Sequence, residues 1–165
     1  MLKTLSSLAP VLRHKTKTPF LLFSLLLLNG CGAGEPRYDL LNGGSVSLEE
    51  LRGKVVLINY WAQWCRPCRI EIPELNHFAQ QYPDSVRVLS VNFDGVRGEA
   101  LLKQVQALGI EFDTLLQDPR HDLDVPASGG LPETIVLNRR GEVQEVLLGP
   151  QTRQSLEAIL NAPAL

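Results

Sequence analysis

The hydrophobic positions of this chain fall into blocks whose period changes along its length. Val55-Val56-Leu57-Ile58-Asn59-Tyr60-Trp61 is apolar on both parities, as a central strand covered on both faces must be. After Cys65 the spacing turns helical. Ile70, Ile72, Leu75, Phe78 and Ala79 are assigned to its core side, and Pro73, which lacks an N–H, is expected to kink it. Pro83 and Asp84 close that helix, and residues 86–93 read as a second strand. Leu101, Leu102, Val105 and Leu108 recur at helical spacing as far as Gly109, a stop signal. Residues 112–116 form a short extended piece, Asp118-Pro119 begins a turn or short helix, and residues 134–138 form a strand. Arg139-Arg140-Gly141 turns the chain into 142–148, whose partial alternation suits an antiparallel edge. A last helix, about 152–160, carries Leu156, Ile159 and Leu160 on one face. Upstream, residues 38–41 make a small strand turned by Asn42-Gly43-Gly44. Ser47-Leu48-Glu49-Glu50 spells a capping box before a helical turn through Leu51, ended by Gly53. The order β-α-β-α-(β)-β-β-α, without internal repeats, describes one α/β domain.

The chemistry is concentrated where the apolar strand gives way to the first helix, in Trp64-Cys65-Arg66-Pro67-Cys68-Arg69-Ile70-Glu71-Ile72-Pro73. Two cysteines two residues apart at such a junction form the arrangement a dithiol redox centre needs. Cys65 at the helix N-terminus meets unpaired backbone N–H groups and the positive end of the helix dipole, which favour its thiolate. Thiolate is the nucleophile of disulfide exchange, and the spacing lets Cys68 attack a mixed disulfide held on Cys65. Pro67 pre-sets φ and lacks a donor that would go unpaired there. Arg66 is a cation between the thiols that favours the thiolate, or else a plain solvated residue.

The first thirty residues stand apart from the domain. Lys3, Arg13, Lys15 and Lys17 precede Phe20-Leu21-Leu22-Phe23-Ser24-Leu25-Leu26-Leu27-Leu28, the basic and apolar regions of a secretory signal. As a helix that apolar run would span roughly 14 Å, against a hydrocarbon core of about 30 Å. Leu28-Asn29-Gly30-Cys31 resembles the lipobox of bacterial lipoproteins, which implies cleavage before Cys31 and acylation of that residue. An ordinary signal on a soluble periplasmic protein and an uncleaved anchor are the other readings. Residues 31–37 form a tether and 38–165 the domain. Gly32, in place of the aspartate that retains many lipoproteins in the inner membrane, favours the outer membrane.

Composition agrees with this division. Of three cysteines, lipidation removes Cys31 from redox chemistry and leaves one pair. Without the four basic residues of the leader, 12 Lys and Arg face 18 Asp and Glu, a net charge near −6. That balance argues against nucleic acid as a partner and offers no basic patch to a membrane. His77 and His121 have no ligand spacing, so no metal site and no cofactor are expected.

These residues resemble the thioredoxin superfamily, and more narrowly its TlpA/ResA-like branch of exported thiol–disulfide oxidoreductases. The resemblance covers about residues 38–160 and is carried by Trp-Cys-x-Pro-Cys-Arg-x-Glu-x-Pro, from Trp64 to Pro73. It implies a thioredoxin-like fold: a central mixed β-sheet flanked by helices, with a helical insertion after the second main strand, filled here by 98–116. Gly130-Leu131-Pro132-Glu133-Thr134 falls where the family has its cis-proline loop. By resemblance Pro132 faces the cysteine pair and the Leu131 backbone pairs with an extended substrate strand; a trans proline opening a strand is the plain alternative. Pro-Glu-Thr also occurs in the CcmG/DsbE branch, which reduces the haem-binding cysteines of apocytochrome c. By the same analogy Trp64 flanks the active site and Trp61 packs beneath it, or both are simple core aromatics. Thioredoxins carry a buried aspartate six residues before the first cysteine, where this chain has Asn59, which cannot take the resolving thiol's proton. Glu71 is the candidate replacement, as in ResA-like proteins; its alternative is a solvated carboxylate paired with a nearby arginine.

The expected protein is therefore a periplasmic, lipid-anchored thiol–disulfide oxidoreductase acting as a reductant. Cys65 attacks, Cys68 resolves, Glu71 assists proton transfer and Pro132 positions the client, while Trp64, Arg66, Pro67 and Leu131 make the client-binding surface. Its partners would be exported client proteins, apocytochrome c among them, a DsbD/CcdA-type membrane electron donor, and membrane lipid through Cys31. A thiolate module for Cu(I) or Zn(II) and a peroxidase, since peroxiredoxins share the fold, are the competing classes.

Overall fold

We describe residues 35–162 of a computed structural model of the chain. The signal segment, most of the tether and Cys31 lie outside the described residues. A five-stranded mixed sheet is ordered β5-β4-β3-β6-β7, and a short antiparallel hairpin, β1 (Arg37–Asp39) with β2 (Ser45–Ser47), stands beside it. In the large sheet, β3 (Val55–Trp61) runs parallel to β4 (Val86–Asn92), which pairs in parallel with β5 (Asp113–Leu115). On the other side β3 pairs antiparallel with β6 (Glu133–Leu137), and β6 with the edge strand β7 (Val143–Leu148). The helices are α1 (Arg66–Gln81), α2 (Gly98–Leu108) and α3 (Arg153–Asn161). The helical insertion is present as α2, and the extended piece after it joins the sheet as β5. Among the described residues no helix is long and apolar enough to cross a membrane.

Every residue of β3 is buried, and its two parities serve two cores. Val55, Leu57 and Trp61 pack with Cys68, Ile72, Leu75 and Phe78 of α1, Leu101 and Val105 of α2, and Leu156 and Ile159 of α3. Val56, Ile58 and Tyr60 face the other way, toward Tyr38 and Val46 of the hairpin, Leu51 and Val125. Asn59 has the parity of the α1 side, because side chains alternate along a strand. That alternation sets up both polar sites described below.

Local signals place several boundaries. Ser47 and Glu50 close the capping box reciprocally, at 3.1 and 3.2 Å, ahead of a 3₁₀ turn over Glu49–Leu51. Gly109 ends α2 at φ +66°, a conformation that costs glycine little. One expectation needs correction. Ile70 is 64% exposed: the buried face of α1 runs through Cys68, Glu71, Ile72, Leu75 and Phe78, and a residue two positions from Ile72 lies about 200° around the helix. Strand β2 had no reading of its own, because three residues are too few to show a period. Helix α1 continues as one element through Pro73, which is exposed, so the carbonyl left without a partner faces solvent.

Candidate active site

The centre of the site is the junction of β3 and α1. After Trp61 the chain turns, with Cys65 N donating to Ala62 O at 3.1 Å, and Arg69 reaches back to donate to Gln63 O at 2.6 Å. Cys65 is the N-cap residue of α1, and its Sγ accepts from the Cys68 backbone N–H at 3.2 Å. A sulfur there replaces the usual capping oxygen, and the donors that satisfy it also favour negative charge on it. Pro67 occupies the first turn and Arg66 is exposed beside it. Cys65 and Cys68 are joined by a disulfide. Cys65 retains 3% exposure and Cys68 none, so the first sulfur is the one that solvent reaches.

Glu71 lies one helical turn beyond Cys68, on the same face of α1, and is fully buried. Its Oε1 accepts from Asn59 Nδ2 at 2.6 Å and its Oε2 from the backbone N–H of Gln151 at 3.0 Å. Asn59 Nδ2 also donates to Thr134 Oγ1 at 3.0 Å, its neighbour across β3 and β6. Burial raises the pKa of Glu71, the two donated hydrogen bonds pull it back in part, and the result is a carboxyl pushed up to about 7. Among the described residues no arginine pairs with it, and its burial removes the reading as a solvated, salt-bridged residue. Asn59 Oδ1 is buried and has no partner among the described residues, an acceptor beside a carboxyl that titrates near neutrality.

The Leu131–Pro132 peptide bond is cis, as the loop resemblance implied. Tyr60 and Glu133 are the last registered pair of β3 and β6, so Pro132 follows at the end of β3 that leads to Cys65. Leu131 packs against the core cluster containing both cysteines, and its backbone N–H and C=O have no partner among the described residues. Trp64 is 66% exposed, its indole N–H donating to Asp94 Oδ2 at 3.0 Å, whereas Trp61 is buried in the cysteine cluster. The tertiary structure thus gathers Trp64, Cys65, Arg66, Pro67, Cys68, Glu71, Leu131 and Pro132 around the β3–α1 junction. Sequence reasoning left out Gln151, Thr134, Asp94 and Arg69 as supports. Only Arg69 carried a local signal, its position one turn into the helix.

Comparison with known proteins agrees with the fold. The profile of the AhpC/TSA family matches residues 34–146. The Thioredoxin-like protein YneN of Bacillus subtilis is 32% identical over 136 residues, 79% of this chain and 78% of that protein. The Thiol-disulfide oxidoreductase ResA of the same organism is 31% identical over 136 residues, 79% of this chain and 74% of its own length. A crystal structure of a DsbF homologue from Corynebacterium diphtheriae superposes with a TM-score of 0.67 at 28% identity, covering 77% of this chain and 83% of the other. The chain belongs to the AhpC/TSA family and, within it, is a thioredoxin-like thiol–disulfide oxidoreductase.

Proposed function

We propose that this enzyme is a lipid-anchored reductant of the periplasm that opens disulfides in exported client proteins. The observation that carries the reading is the capped Cys65 sulfur, which accepts a backbone N–H while its partner Cys68 is wholly buried. In the reduced enzyme the Cys65 thiolate attacks a client disulfide, forming a Cys65–client bond and expelling one client thiolate, which takes up a proton. Cys68 then gives its proton to the Glu71 carboxylate and attacks Cys65 Sγ. That step expels the second client thiolate, which takes the proton held by Glu71, and leaves the Cys65–Cys68 disulfide. Two electrons and two protons pass to the client, which leaves as a dithiol.

Leu131 and Pro132 hold the client as an added strand against the open backbone of the loop, with Trp64, Arg66 and Pro67 around the sulfur. A DsbD/CcdA-type membrane donor returns the electrons. The Pro132-Glu133-Thr134 wording supports apocytochrome c as a client, and the Leu28–Cys31 pattern with Gly32 supports a lipid anchor in the outer membrane. The decisive experiment replaces Cys68 with Ala in the living cell and identifies what stays disulfide-linked to Cys65; exported cysteine proteins are expected. A redox potential in the DsbA range, near −120 mV, overturns the reducing direction. Stoichiometric Cu(I) or Zn(II) binding, or peroxide consumption, without reduction of insulin or glutathione disulfide overturns the client reading.

A further inference from the structure

On the sheet face opposite the disulfide, a second polar cluster lies directly behind the loop. Arg120 Nη1 donates to Glu133 Oε1 at 2.9 Å and Nη2 to Glu133 Oε2 at 3.2 Å. The side chains are 11% and 1% exposed. The guanidinium carbon lies 4.1 Å from the ring centroid of Tyr60, and Asp118 Oδ1 accepts from both Tyr60 Oη at 2.6 Å and Arg120 N at 2.9 Å. Burial opposes the charge on each partner and is the largest single effect, but hydrogen bonds and charge attraction together outweigh it, with Ser128 adding to Arg120 at Glu133 and Tyr60 and Asp118 adding to Glu133 at Arg120, so the Glu133 carboxyl sits below the usual range and the Arg120 guanidinium above its own.

The same two side chains reach into the segment that precedes the loop. Arg120 Nη1 also donates to Pro126 O at 2.9 Å. Ser128 Oγ donates to Glu133 Oε2 at 2.8 Å and accepts from Gly130 N at 3.3 Å. Residues 126–130 are all exposed, and Gly129, at φ +78°, and Gly130 bring no conformational preference of their own. What orders the approach to Leu131 is this ion pair. A buried pair gives little net stability over apolar side chains of the same volume, whereas a bidentate fork fixes direction.

We propose that Arg120 and Glu133 are positioning residues, a clamp that holds the Leu131–Pro132 loop ready for a client strand without altering the cysteines. The clamp rests on the reading of Leu131 as the client-pairing residue. It faces away from α1, so it bears on how tightly a client is held rather than on thiol chemistry.

The test compares the full chain with Glu133→Gln, Arg120→Lys and Arg120→Met, well below the melting temperature of each. Cleavage of the native protein by subtilisin within residues 127–131 is expected to quicken about tenfold in Glu133→Gln and Arg120→Met, the loss of one charge-assisted hydrogen bond. KM for insulin should rise by about the same factor, while kcat and the alkylation rate of reduced Cys65 move less than about twofold. Arg120→Lys, which keeps the charge but not the fork, should fall between. Unaltered cleavage, an unaltered KM, or alkylation that shifts as much as KM overturns the clamp. A wild type that reduces neither insulin nor glutathione disulfide overturns the function reading and the client half of the clamp, and the cleavage rate still decides whether the clamp orders the loop.

Discussion

Glu71→Gln removes one ionisable group from the interior while keeping its shape, and it isolates what that carboxyl does. In the fold the carboxyl titrates near 7; its ordinary value is 4.5. At about 1.4 kcal/mol per pH unit, that displacement amounts to about 3 kcal/mol. The sign follows from which state holds the proton. Below pH 4.5 the group is neutral folded and unfolded, and it costs nothing. Between 4.5 and 7 the unfolded chain has lost the proton and the folded chain keeps it, so folding stability falls as pH rises, then levels off. The oxidised protein gives the clean comparison, because its disulfide removes both thiols from titration. Urea denaturation from pH 4 to 9 should show wild-type stability falling relative to Glu71→Gln by about 3 kcal/mol across that window. Gln fits, because turning the Asn59 amide presents its unpartnered Oδ1 to the new donor. In the reduced protein, the lost negative charge about 6 Å from Cys68 should bring the midpoint of iodoacetamide alkylation of Cys65 down by about one pH unit. Stability curves that differ by a constant offset, with an unmoved alkylation midpoint, would refute a buried carboxyl coupled to the thiols.

Three further outcomes follow from the same geometry. Asn59→Asp puts a second carboxyl within hydrogen-bond reach of Glu71, and two such charges cannot coexist there. It should cost about 3 kcal/mol or more at pH 8, most of it recovered near pH 5, as read by thermal melts at the two pH values. Leu75→Ala empties a fully buried position between α1 and the sheet and should lower stability by about 2–5 kcal/mol in urea titrations, with the disulfide still formed. Cys31→Ser should abolish incorporation of labelled palmitate into the protein in growing cells, with insulin reduction by the purified domain unchanged; a wild type that takes up no label argues against the lipid anchor.

What the sequence by itself determined is what depends on neighbours along the chain. Val55–Trp61 declared a strand covered on both faces, because seven successive positions are apolar apart from Asn59. The cysteine pair at a strand-to-helix junction, the Ser47–Glu50 box and the Gly109 stop rest on caps, turns and spacing within a few residues. Ile70 marks the limit of such reasoning: its apolar character put it in the core, and only the phase of the helix against the sheet shows it facing solvent. Glu71 shows the same limit from the other side. A carboxylate in a helix reads alike whether it meets water or a sheet, and its protonation near neutrality exists because the fold buries it, against the pull of the hydrogen bonds from Asn59 of β3 and Gln151, 80 residues later. Along the chain Arg120 is an unmarked charge and Glu133 only one letter of the loop motif; the register of β3 with β6 sets Tyr60 opposite Glu133, and the loop folds back across them. Burial and partnership of polar groups belong to contacts distant in sequence, so the tertiary structure alone decides them.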